Sequence, residues 1–174
     1  MAWTIDASHS HIGFAVRHMV VSTVRGQFNA VSGTLELNDA NPAASWVEAE
    51  ADTASIDTHD ANRDAHLRSA DFFDAEKYPK ISFKSTKVEG DSGDFKVTGD
   101  LTIHGVTKPV TFEVEYSGFV KDPYGLNRAG FSAQAKINRK EFGLTWGPLL
   151  ETGGAVVSDE VKLNLEFEAT QQPA

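Results

Sequence analysis

The 174-residue chain has no cysteine, which excludes disulfides and thiolate chemistry at the outset. It has no apolar run near the roughly 18 residues that a spanning helix requires. It is short of cations: 16 Lys and Arg stand against 25 Asp and Glu, a formal net charge of -9. A bulk balance of that sign disfavours non-specific binding to nucleic acid or to anionic membrane surfaces. No glycine-rich phosphate loop, GxSxG elbow or HExxH pair occurs, so three common catalytic signatures are missing. The first residues, MAWTIDASHS, lack the basic start and apolar core of a secretory signal, and a soluble cytoplasmic protein is expected. The length fits a single domain over 1–174, with 171–174 as a frayed tail. A chain of this size buries about 70% of its unfolded surface and needs no covalent staples.

What the sequence does have is alternation. In Gly99 to Tyr116, Leu101 and Ile103 alternate with polar residues before a turn at Gly105. Val110, Phe112, Val114 and Tyr116 do the same after it. Period two with one apolar face marks half-buried antiparallel strands. Gly105 suits a turn with positive φ, and Pro109 suits the first residue of the second strand. The pattern recurs at Trp3–Asp6, Ser10–His18, Phe28–Leu37, Ser45–Ile56, Ile81–Val88, Phe95–His104, Ala129–Ile137 and Val161–Phe167. The runs DANP at 39–42 and EGDSGD at 89–94 read as loops, and DPYG at 122–125 as a turn.

Three segments depart from the β pattern. Met19–Gly26 loses clean alternation and is expected to form a helical turn or short helix. Asp57–Ala75 has helix formers, Asp60 or Asn62 as N-cap, and Leu67, Phe72 and Phe73 to bury. Asn138–Pro148 reads as irregular, with a short helix near Glu141. About eight long antiparallel strands with one apolar face form either a two-sheet sandwich or a closed barrel. Periodicity alone leaves open whether the apolar face meets other side chains or a cavity.

Five stretches taken together resemble the YceI-like family of polyisoprenoid-binding, lipocalin-like proteins. They are IDASHSHIGFAVRH (5–18), STVRGQF (22–28), SIDTHDANRDAHLRSADFFDAEKYPKISF (55–83), GDLTIHGVTKPV (99–110) and INRKEFG (137–143). The resemblance implies an all-β fold, an elongated eight-stranded antiparallel lipocalin-like barrel with short capping helices. It implies a non-catalytic protein, without cofactor or metal, whose apolar pore takes up a long isoprenoid chain of the polyprenyl diphosphate or quinone type. Dimers are common in the family, so a homodimer is compatible with it. Secretory signals are also common there, and this amino terminus departs from that pattern.

Candidate pore-lining residues are those on the apolar faces of different strands: Phe14, Val16, Phe28, Phe83, Phe112, Val114, Phe131 and Ile137. The competing reading is that they fill a dry core. For a polar head group the candidates are His18 and Arg25 beside the first irregular segment and Arg63 and His66 in the insertion. His18 continues the inward face of Ile12, Phe14 and Val16, and a purely structural role is an equal alternative. The set Asp57, His59, Asp60, Arg63, Asp64 and His66 is the one cluster that resembles acid-base or metal chemistry. Its i, i+4 partner to His59 is Arg63, which no metal site would use, and caps and surface ion pairs explain it better. His9 and His11, two residues apart, are read as structure. Arg139 either orders the turn after its strand or pairs a buried carboxylate at the barrel's end.

Overall fold

The computed structural model describes residues 2–19, 21–147 and 157–172. Its strands are β1 (Trp3–Ile5), β2 (His11–His18), β3 (Ser22–Phe28), β4 (Val31–Glu36), β5 (Trp46–Asp52), β6 (Ile56–Asp57), β7 (Lys80–Asp91), β8 (Asp94–Ile103), β9 (Val106–Lys121), β10 (Asn127–Asn138) and β11 (Val157–Gln171). Three staves of the barrel are each broken in two. β1 and β2 lie end to end along β11. β3 pairs with β2 and β4 with β1. β6 pairs with β3 and β5 with β4. Each broken pair makes one stave, and consecutive staves are neighbours all the way round. The result is a closed eight-stranded antiparallel barrel.

The longest ladder, β10 with β11, runs unbroken from Asn127↔Gln171 to Asn138↔Glu160. At about 3.3 Å per residue it spans on the order of 40 Å. Tight turns close the far end: Ser92 and Gly93 both have positive φ, the requirement of a two-residue type I′ hairpin. The stretch expected as an EGDSGD loop is therefore mostly ladder, with Glu89 opposite Lys96. His104 and Gly105 make the same kind of turn at the opposite end. There, β9 begins at Val106, so Pro109 lies inside the strand rather than at its start. Its missing N–H is tolerated because β9 meets β10 only from Glu113 onward, leaving one edge of its first half free of a partner strand.

The same end carries the helical material. The insertion forms α1 (Ala61–Arg68), and a 3-10 turn spans Arg139–Phe142. Asp60 is the N-cap: its Oδ1 accepts from the backbone N–H of Asn62 and Arg63, each at 3.1 Å, which satisfies two of the donors a helix start leaves over. α1 and the segment after it form a lid. Thr53, almost fully buried, ties the lid's return to the barrel by donating its hydroxyl to Tyr78 O at 2.8 Å.

Met19–Gly26 is a correction. No helix forms; Ser22–Phe28 is β3, in hairpin register with β2, and Val20 lies outside the described residues. The alternation was masked because Gly26 occupies an inward position opposite Phe14, where the Phe14 ring fills the space a side chain would need. Phe28–Leu37 and Ser45–Ile56 are each interrupted, at 29–30 and by a 3-10 turn over Thr53–Ser55. The expected tail starts late, since Gln171 is still paired with Asn127. Pro148, Pro173 and Ala174 lie outside the described residues.

Gly99 shows how closely β7 and β8 approach. A Cβ there would sit 2.6 Å from Phe83 Cζ and against Lys84 O, whereas one at Gly130 would meet nothing within 4 Å. Gly99→Ala is expected to cost about 1–3 kcal/mol in urea unfolding, and Gly130→Ala to be neutral or slightly stabilising. Equal effects of the two would refute the packing assignment.

Candidate functional site

The inward faces of the staves enclose a cavity of about 260 Å³ that extends from Leu37 and Trp46 at the far end to Leu67, Phe72 and Val157 beneath the lid. All eight residues expected to face a pore, Phe14, Val16, Phe28, Phe83, Phe112, Val114, Phe131 and Ile137, line it. Their rings meet across strands: Phe83 stands edge-on to Phe112 at 5.2 Å, and Phe14 is tilted against Phe28 at 5.7 Å. Such pairs add roughly 0.5–1.5 kcal/mol beyond area burial.

Burial separates the two readings left open by the sequence. Phe28, Phe112 and Phe131 are buried, but Phe14, Val16, Phe83, Val114 and Ile137 are only half-buried although they point inward. Leu163 and Leu165 on β11 behave the same way. Inward apolar side chains of a filled core are normally lost to solvent. These remain accessible because they border empty space. The barrel is not packed solid.

The lid supplies apolar side chains to one end of that space. Leu67 and Phe73 pack against a buried cluster that includes Phe28 and Ile56, and Phe73 stands perpendicular to Phe28 at 5.8 Å. His66 packs against Phe72 at 5.1 Å and Trp146 at 4.8 Å, while its Nε2 lies 2.9 Å from Asp71 Oδ2. Asp64 is buried and its Oδ1 accepts from the Thr58 N–H at 2.9 Å and the Thr58 hydroxyl at 2.5 Å. Arg63 donates Nε to Thr58 Oγ1 at 2.8 Å and Nη2 to Thr58 O at 2.7 Å. The cluster that resembled chemistry is thus engaged in fastening the helix to the end of β6. His59, with its side chain 85% exposed, stands outside.

None of the four head-group candidates lines the cavity. His18 is half-buried at the rim, cross-strand from Ser22 and Val157. Arg25 lies on the outer face, and Arg63 and His66 belong to the lid. The cation that does reach the cavity wall is Arg139, 4% exposed. Its Nε donates to Ser158 O at 2.9 Å, Nη1 to Leu144 O and Trp146 O at 2.6 Å each, and Nη2 to Val157 O at 3.2 Å. Among the described residues the nearest carboxylate, Asp159, is 4.0 Å away and half-exposed. Of its two sequence-based readings, Arg139 therefore follows the first: it orders a turn through carbonyls and, among the described residues, pairs no buried carboxylate. Burial pulls its pKa below the ordinary arginine value, with Asp159 opposing.

A second polar group escaped sequence reasoning. At the far end Arg128 places Nη1 2.7 Å from Asp6 Oδ2 and 2.9 Å from Glu168 Oε2, and Nη2 3.2 Å from Asp122 Oδ2. Its partners come from three separate stretches of chain, so no local spacing announces it. Asp6, His9 and Glu168 have ligand atoms close enough to hold a cation, but the Arg128 guanidinium already rests on two of those carboxylates.

Comparison with known proteins agrees with this geometry. The YceI-like domain model matches residues 3–169. The chain belongs to the YceI-like family. It is 42% identical over 167 residues to the YceI protein of Escherichia coli O17:K52:H18, covering 96% of this chain and 84% of that one. Among solved structures, Burkholderia cenocepacia BcnA superposes with TM-score 0.83 at 25% identity over 94% of this chain and 98% of its own. Campylobacter jejuni YceI gives 0.76 at 33% identity over 90% of each. A polyisoprenoid-binding domain from Saccharophagus degradans gives 0.71 at 15% identity over 98% of each, a likeness of fold alone. The open pore is therefore a feature of a YceI-like barrel, and the lid closes one of its ends.

Two expectations follow. Lysine at position 139 cannot donate to four carbonyls in a plane, so Arg139→Lys should lower unfolding stability by about 1–3 kcal/mol, read in urea. For Asp6, hydrogen bonds from Arg128, then Ser8 and His9, hold the carboxyl well below its ordinary value of 3.8. A depressed acid stabilises the fold above its unfolded pKa, and that contribution is lost as pH falls below about 4. Arg128→Met should flatten this acid limb of the stability profile; an unchanged limb would remove Arg128 from its cause.

Proposed function

We propose that this YceI-like protein sequesters or carries a long-chain isoprenoid lipid, of the polyprenyl diphosphate or quinone type, in its barrel without catalysing a reaction. The observation that carries the reading is the apolar cavity itself, long, narrow and bordered by half-buried Phe14, Phe83 and Leu165. An eight-stranded barrel is wide enough for one small ligand across its section, so cargo threads lengthwise. A chain of branched methyls and double bonds matches a wall of Phe, Val and Leu, and every Å² of apolar chain taken from water contributes about 25 cal/mol. Family membership supports the same reading. The Saccharophagus degradans domain, named for polyisoprenoid binding, shares the fold and adds no more than that.

Against catalysis stand the hydrogen bonds of the lid cluster. Arg63 and Asp64 are bound to Thr58, and His66 to Asp71 beside two aromatic rings. No cofactor enters this mechanism. Shape and apolar burial hold the chain, and the rim around His18 and the lid meets the polar end.

Organic extraction of the purified protein followed by mass spectrometry should release stoichiometric isoprenoid lipid. Leu165→Trp should fill the pore and abolish it while the protein stays folded. Phe112→Asp should do so as well, at greater cost, because an unpaired charge in an apolar site is expensive. A Leu165→Trp protein that keeps its full lipid content would show that the chain is held elsewhere.

A further inference from the structure

Near the lid end the outer face of the barrel reverses the sign of the whole molecule. One cross-strand row reads Lys136, Lys162, Ala15, Arg25, across β10, β11, β2 and β3. The three cations are exposed, and none makes an ion pair among the described residues. The row beneath it on the same strands, Gln134, Asn164, Gly13 and Gln27, is uncharged, and Asp57 appears only on the next strand. Toward the rim, Arg17 donates to Thr23 Oγ1 at 3.1 Å. Asp159 at this rim is held by Lys140 at 3.4 Å, and the exposed acids bordering the row are Glu160, opposite Asn138, and Glu113 on β9, opposite Gln134. In a chain of net charge -9, such a cluster is a local field that bulk composition conceals.

The hairpin between β2 and β3 projects from the same face. Its Met19 and Val21 are 44% and 81% exposed, which places large apolar side chains in water at the rim of the same strands that carry the cations. On the inside of the same strands, Val16, Ile137 and Val161 line the cavity. An apolar tip, a basic flank and an apolar conduit are thus contiguous.

We propose that this face docks on an anionic phospholipid bilayer, with Met19 and Val21 entering the interface while Lys136, Lys162 and Arg25 meet the headgroups, so that lipid passes between membrane and pore without crossing water. A basic residue held near an anionic surface attracts it strongly enough for a few to act together, and exposed apolar side chains add the salt-insensitive part. The surface extends the lipid-carrying reading above, but its test is independent of cargo. Net charge alone disfavours non-specific binding to anionic membranes, and the proposal sets the local distribution of charge against it.

The test is co-sedimentation of the purified protein with vesicles of phosphatidylcholine alone or mixed with phosphatidylglycerol, in low and high salt. Binding should require phosphatidylglycerol and weaken as salt rises. Lys136→Glu with Lys162→Glu should reduce it at least about tenfold. Val21→Asp should reduce it while leaving the salt dependence in place. All three positions are exposed, so circular dichroism should show an unchanged fold. Equal sedimentation with both vesicle types, or none with either, overturns the docking surface. Lipid content measured by extraction in the same samples separates that failure from a failure of the pore: loaded protein that ignores vesicles refutes only the docking.

Discussion

Everything in this molecule depends on closing the sheet, and the closure runs through one of its shortest strands. β1 is three residues long, yet Thr4 faces Thr34 on β4 and Thr170 on β11. Trp3 and Ile5 turn inward there and are buried, Trp3 meeting Phe119 edge-on at 5.9 Å. Without that joint, β4 and β11 would expose unpaired backbone donors and acceptors, and the barrel would be an open sheet with two edges. The Arg128 group sits at the same place and holds Asp6, just beyond β1, to Glu168 on β11. A short strand flanked by a three-carboxylate clamp supplies what length does not.

Closure also explains the empty interior. An eight-stranded ring of fixed tilt sets its own bore, and the inward side chains must fill it or leave space. Where Phe131 stacks on Tyr116 at 5.1 Å and on Phe167 at 4.9 Å, aromatic rings fill it. Where Gly26 and Gly99 take inward positions, the neighbouring Phe14 and Phe83 rings occupy the space a side chain would need. A glycine opposite Phe14 and one diagonal to Phe83 therefore let the rings sit against the wall while its surface stays apolar. The lid end closes by different means. The strands splay once β9 loses β10 beyond Glu113, and Phe142 and Leu144 fill the gap, held by Arg139 through carbonyls rather than by strand pairing.

How much of this was legible in the sequence follows from the range of each interaction. The long staves could be read because period two persists where inward residues are large, as in Ala129 to Ile137 or Val161 to Phe167. β3 could not, because its inward positions include Gly26, and a glycine facing the lumen removes the apolar beat that marks a strand. The α1 cap was visible at Asp60, since an N-cap is a contact between residues two and three apart. The chemistry-like residues of α1 were visible too, but their use was not: Thr58, which absorbs both Arg63 and Asp64, is ordinary in sequence. The eight pore-facing positions emerged from alternation, whereas the head-group candidates were chosen by charge and nearness to irregular segments. Charge does not report whether a side chain points in, out, or into its own lid, and the four scatter accordingly.

The distribution of charge along the barrel follows from the same alternation that builds the pore. Once the inward positions are reserved for apolar side chains, every charge of a stave must face outward, and cross-strand register alone decides which charges become neighbours. Lys136, Lys162 and Arg25 lie far apart in the chain and share no local motif, yet the ladder sets them in one row. Like charges in adjacent strands oppose pairing by a few tenths of a kcal/mol each, and nothing in the fold requires them: Ala15 between them and Gln134 and Asn164 beneath serve the ladder equally well. The outer face elsewhere answers cations with acids, as Lys84 does with Glu48 at 3.6 Å. A row that accepts repulsion without a structural return, next to an exposed apolar tip and at the lidded end of an apolar conduit, is more economically explained by what it meets outside the molecule than by what it does within it.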